Sequence, residues 1–359
     1  MSTHNKKILN RYHVIFLVQS AMVGTGILTL PRDLSAVGYS QIIFPLLFGS
    51  IATLTLWPMI WLNTKYPNEN LFRINELLLG KGVGKVVNLL IILHFTLLIS
   101  GVINKYMHLI QSNALPEQTI TIPILLLLLL LIYIVNGGIK SIARFCILAF
   151  FLTIGIFYFT NWAIEKGDIR HFLPLFNFNS SEFFDAFKTG YLTILGYELI
   201  MFYFPYIKDQ KKAFKHATIG IWISICLCYI TVIVSVMYFS EWQLKHIEYS
   251  LLNVFKAGEL SFVERFDILG VTLWVFVILT TVAVYLWSAK KGMESLFSKK
   301  KKYYIYILAT IIFLIAILQL PNVFQQKLFT GNNYLAYVLI IWPLFLNIVY
   351  LLRKKQVQP

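Results

Sequence analysis

Long runs of uncharged, apolar residues recur along the whole chain, and no other feature limits its fold so tightly. A helix that crosses a bilayer needs roughly 20 such residues and satisfies its backbone hydrogen bonds within its own segment. About ten runs meet this requirement, at about 12–31, 41–62, 86–110, 122–138, 144–163, 187–206, 217–239, 265–288, 303–320 and 333–351. The connections are too short to hold a soluble domain, so one all-α transmembrane domain is predicted to fill residues 1–359. With 13% charged residues the chain has about half the charge of a typical soluble protein, too little to cover it in water.

A net charge of +15 and the basic run Lys299 to Lys302 would suggest nucleic acid in a soluble protein. Sorting the charges by loop removes that partner. With the N-terminus in the cytoplasm, 22 of the 31 Lys and Arg fall on the cytoplasmic side against 8 outside, with Lys105 inside a span. The acids run the other way, 4 inside and 11 outside, with Glu198 inside a span. This bias sets the orientation of membrane proteins, and it predicts both termini in the cytoplasm. The basic loops, including Arg353 to Lys355, then face anionic lipid. Lys6, Lys7 and Arg11 precede the first run without a small-residue cleavage site, which reads as a permanent helix rather than a signal peptide. Cys146, Cys226 and Cys228 all fall within spans, where they read as packing residues. No catalytic triad, phosphate loop or metal-ligand cluster has workable spacing, so the chain is predicted to be no enzyme and to carry no cofactor.

Ten spans divide into two sets of five, and the second set then begins in the opposite orientation to the first. That parity allows an inverted repeat, about 12–163 and about 187–351, of the kind found in secondary transporters. Such folds interrupt one helix at the same place in each half. Gly24 and Gly26 in the first span and Gly196 in the sixth are matched candidates for these breaks. An exposed helix N-terminus suits a carboxylate and freed carbonyls suit an ammonium, together a free amino acid. The plainer alternative is that small residues let helices approach closely.

Glu198 beside Gly196 is a carboxylate near mid-span, expensive there unless paired, hydrated or protonated. It suits a ligand or proton pathway, or else a structural hydrogen bond. Thr281 and Tyr285, four apart on the eighth span, share one face and offer two hydroxyls. His94 could relay protons or simply be a satisfied hydrogen-bonding residue. Glu264, Arg265 and Asp267 read as a local ion-pair cluster, and Arg32, with Asp33 beside it, as a guard of the access path.

The chain resembles the B subunits of the nutrient germinant receptors of bacterial endospores (GerAB/GerKB type), a branch of the amino acid, polyamine and organocation transporter superfamily. The resemblance rests on Gly24-x-Gly26-Ile27-Leu28-Thr29-Leu30-Pro31-Arg32, Gly137-Gly138, Gly196-Tyr197-Glu198 and Phe262-Val263-Glu264-Arg265-Phe266-Asp267, in that order over nearly the whole length. It implies a LeuT-like five-plus-five inverted repeat with broken helices one and six. It also implies a ligand pocket at Gly24, Val102, Leu195, Thr281 and Tyr285, extended by Gly26 and Glu198 from the reading of the breaks. Partner A and C receptor subunits and a place in the inner membrane of the spore follow from it as well. Some proton-coupled transporters of this superfamily carry a lysine in helix five, whereas Phe145 to Trp162 contains none. A sensor of an amino-acid-like nutrient is therefore expected, with a proton-coupled amino acid or polyamine transporter, or a passive ion or water path, as rivals.

Overall fold

Asn10 starts the first helix with a capping box: its side chain accepts the His13 N–H at 3.0 Å, and His13 Nδ1 accepts the Asn10 N–H at 3.3 Å. The computed structural model describes residues 7–113, 119–258, 266–297, 301–318 and 322–357. Helix α1 (Arg11–Met22) is buried on every side from His13 onward, which places it at the centre of the bundle. It stops at Val23, and the chain resumes as α2 (Gly26–Asp33), bent by 52° from α1.

The chain continues as α3 (Phe44–Lys65), α4 (Leu71–Leu79), α5 (Lys81–Asn113), α6 (Thr121–Asn136) and α7 (Ile139–Thr153). Then follow α8 (Ser180–Gly190), α9 (Ala213–Tyr238), α10 (Phe266–Leu296), α11 (Tyr304–Ile317) and α12 (Asn322–Val357). Among the described residues, six helices are long and apolar enough to cross a bilayer, the bent α1/α2 pair makes a further span, and α6 and α11 are shorter apolar helices. The remaining predicted span, 187–206, is no continuous helix. It runs from α8 into a 3-10 turn (Tyr191–Ile194), breaks at Leu195 and Gly196, and ends in short helical turns up to Tyr206. Both helices expected to be broken are broken.

α1 packs against α7, α9 and α10, and α10 also packs along α5. Leu125, Leu126, Leu129 and Leu130 on α6, and Ile341, Leu344, Phe345 and Ile348 on α12, stay uncovered, apolar surface of the kind that lipid or a partner protein covers.

Two features were not expected. The segment 63–85, read as a plain connection, contains α4, capped by Asn70 and ended by Gly80 at φ +87°. It lies so close to α5 that a methyl group on Gly84 would come 2.6 Å from Glu76 Cα. A chain of buried amides holds it there: Asn75 Nδ2 donates to Asn88 Oδ1, Asn88 Nδ2 to the Phe72 carbonyl, and Trp342 Nε1 on α12 to Asn75 Oδ1, each at 2.9 Å. The second feature is a backbone clasp. Ile8 and Leu9 donate to the Tyr206 carbonyl at 2.8 and 3.0 Å, and Lys208 donates back to Leu9 at 2.9 Å, tying the start of α1 to the end of the sixth span. Of the expected ion-pair cluster, Glu264 and Arg265 lie outside the described residues, as do Lys299 and Lys300 of the basic run, while Asp267 is buried at the start of α10.

Candidate functional site

Unwinding leaves polar backbone atoms that need partners in a membrane interior. At the first break α10 supplies them. Thr281 Oγ1 lies 2.8 Å from the Ser20 carbonyl and 2.7 Å from that of Val23, and Trp274 Nε1 donates to the Gly24 carbonyl at 3.2 Å. One hydroxyl proton, shared with the Val277 carbonyl of α10 itself, and one indole N–H thus serve the freed carbonyls.

The sixth-span break packs against the first. Gly196 has φ +127°, and a methyl group there would come 2.3 Å from the Ala21 carbonyl oxygen, so only glycine fits. In return, a methyl on Gly26 would come 2.8 Å from Thr193 Cβ. Farther along, Thr189 Oγ1 donates to the Asp33 carbonyl at 2.6 Å.

Between the breaks, α5, α10 and α12 lies a cavity of about 560 Å³ that opens at the end of the bundle away from the N-terminus. Of the residues singled out in the sequence, Gly24, Gly26, Val102, Leu195, Thr281 and Tyr285 line it together. Glu198 does not. It is buried behind Tyr285, whose hydroxyl donates to Glu198 Oε1 at 3.2 Å, while Oε2 accepts the Gly196 N–H at 2.7 Å. The carboxylate therefore holds the open turn at Gly196 and reaches the cavity only through Tyr285. His94 stands in the cavity wall with Nδ1 2.8 Å from Asn332 Oδ1, a link from α5 to α12.

The suspected access residue is displaced by one. Arg32 is exposed outside the cavity, whereas Asp33 lines it and accepts the Thr29 hydroxyl at 2.8 Å. Thr29, Thr193, Asn104, Lys105 and Asn332 also line the cavity and were not singled out. For Lys105 a signal existed: a lysine within a span, three residues from Val102 and so on the same helix face.

Residues 8–322 match the family model described as spore germination protein. The chain is 24% identical over 357 residues to spore germination protein A2 of Bacillus subtilis (strain 168), covering 97% of this chain and 96% of that protein. It is 24% identical to spore germination protein GerQB of Bacillus cereus over 306 residues, 85% of each chain. Spore germination protein GerLB of Bacillus cereus is 26% identical over 362 residues, with 95% and 93% covered. In three dimensions the chain is similar to Mhp1, a nucleobase-cation-symport-1 family transporter solved in a closed conformation with bromovinylhydantoin bound. The TM-score is 0.65 over 95% of this chain and 80% of that one, at 13% identity. That likeness establishes the LeuT-like transporter fold.

Proposed function

The chain belongs to the spore germination protein family, and from that premise we propose that it is the ligand-sensing, non-catalytic membrane subunit of a nutrient germinant receptor. The reading places it in the inner membrane of the spore with both termini cytoplasmic, so the cavity opens outward. The ligand is a small nutrient, an L-amino acid, bound beside Gly24, Gly26, Val102, Leu195, Thr281 and Tyr285, with Glu198 acting from behind through Tyr285. A and C receptor subunits receive the signal. The chain is built as two repeats, about 12–163 and about 187–351, and rocking of the two broken helices, one from each repeat, against the rest of the bundle carries it.

The observation that supports this most is a cavity walled by both helix breaks and sized for a small molecule. A ligand shifts a conformational equilibrium only through its differential affinity for two states, and about 1–3 kcal/mol of coupling is typical. A ligand touching both breaks can supply that difference. The test is germination of spores lacking the gene and complemented with variants. Loss of response to amino acids on deletion, and again with Gly24→Leu at normal abundance, is expected. Proton-driven, saturable accumulation of labelled amino acids by the purified chain in liposomes would instead establish a transporter.

A further inference from the structure

Two helices present ladders to the cavity. On α2 the cavity-facing positions are Gly26, Thr29 and Asp33; on α5 they run from His94 through Leu98, Gly101, Val102, Asn104 and Lys105 to His108. The α2 positions keep one helix face, since they are spaced three or four residues apart. The α2 series ends in Asp33 and the α5 series carries Lys105, so opposite charges line the same space. Lys105 lies one turn above Val102, a rise of about 5 Å.

Asp33 feels the positive charges of Lys105 and Arg32, yet among the described residues it is in direct contact with neither. Among the described residues Lys105 takes part in no ion pair or hydrogen bond, and the Asp33 carboxylate has the Thr29 hydroxyl as its one donor. Lys105 is exposed and Asp33 half-buried, so both are open to a ligand entering the cavity. Beside Lys105, Asn104 also lines the cavity, and its Oδ1 is buried without a hydrogen-bond partner among the described residues. The deep end has the opposite character: the carbonyls freed at the first break already face Thr281 and Trp274.

We infer that the cavity mouth is a head-group subsite for a zwitterion, in which Asp33 takes the ligand's ammonium, Lys105 takes its carboxylate, and the ligand's side chain points inward to Val102 and Leu195. This rests on the amino-acid reading above and adds an orientation to it. Asn104 Oδ1 is a second acceptor for the ammonium. The apolar depth then selects side-chain size, while the mouth requires both charges at once.

The test uses the purified full-length chain in nanodiscs. Dissociation constants are measured for the twenty proteinogenic L-amino acids, and then for the tightest binder, its C-terminal amide and its N-acetyl derivative. The amide lacks the carboxylate and the N-acetyl form lacks the ammonium. The wild-type chain is expected to prefer the amino acid over either derivative by about tenfold or more, the scale of one charge-assisted hydrogen bond. Lys105→Gln should abolish the preference over the amide while leaving the affinity for the amide itself unchanged. Asp33→Asn should do the same for the N-acetyl form, and the exposed Arg32→Gln should change neither ratio. If Lys105→Gln and Asp33→Asn weaken all three ligands equally, or none, while Gly24→Leu removes binding, the deep site stands and the mouth subsite is overturned. Failure of all twenty amino acids to bind the wild-type chain would overturn both.

Discussion

Gly24 and Gly196 both mark helix breaks, yet an added methyl group meets different surroundings at each. At Gly24 it would lie 3.6 Å from Thr281 Cγ2, an ordinary contact, so Gly24→Ala should fold normally and only larger side chains should fill the cavity. At Gly196 the positive φ and the overlap with the Ala21 carbonyl together cost about 2–5 kcal/mol. Gly196→Ala is therefore expected to lower the amount of folded protein in the membrane, as read by fluorescence-detected size exclusion. Thr281 provides a second test. Thr281→Ala removes the one hydroxyl proton that the Ser20, Val23 and Val277 carbonyls share, at about 1–3 kcal/mol, whereas Thr281→Ser keeps it. Thermal melts should show Ala destabilised and Ser close to the wild type. The sequence made the breaks and the shared face of Thr281 and Tyr285 legible, because glycine and four-residue spacing are local signals. It did not separate residues that line the cavity from one behind it. Glu198 is hidden by Tyr285, a neighbour 87 positions away in the chain, and no local pattern records such a contact.

Among the elements, α4 is held to its neighbours by polar contacts. Replacing Asn75 with Leu would remove a donor to buried Asn88 and an acceptor for partly buried Trp342. A double-mutant cycle of Asn75→Ala and Trp342→Phe should give a coupling of about 0.5–3 kcal/mol in thermal stability, whereas independent elements would give none. Hydropathy found the long helices because burial in lipid and burial in protein both demand apolar runs. It passed over α4, whose nine residues mix apolar and polar side chains. The start of α8 at Ser180, earlier than expected, is fixed instead by the capping box of Asn179 and Glu182, a signal written in the sequence but separate from hydropathy.

For the molecule as a whole, the loop charges predict orientation. A reporter fused after Lys355 should read as cytoplasmic and one inserted near Glu248 as external, and a reversal at either site would overturn the assigned topology. Span number and the pairing of two breaks were legible because each span carries its own signal. Their mutual packing was not, since it depends on backbone-to-backbone approach between residues some 170 positions apart, as at Gly26 and Thr193 or Ala21 and Gly196. That packing has a mechanical result. The first and sixth spans are joined at three heights: by the Leu9–Ile207 clasp, by the interlocked glycines, and by Thr189 on the Asp33 carbonyl. They form one stiff strut rather than two independent rods. Residues 8 and 9 are its far tip, so on the sensing role proposed above a push on the cavity wall is expected to arrive at the other end of the strut as displacement of residues 8 and 9.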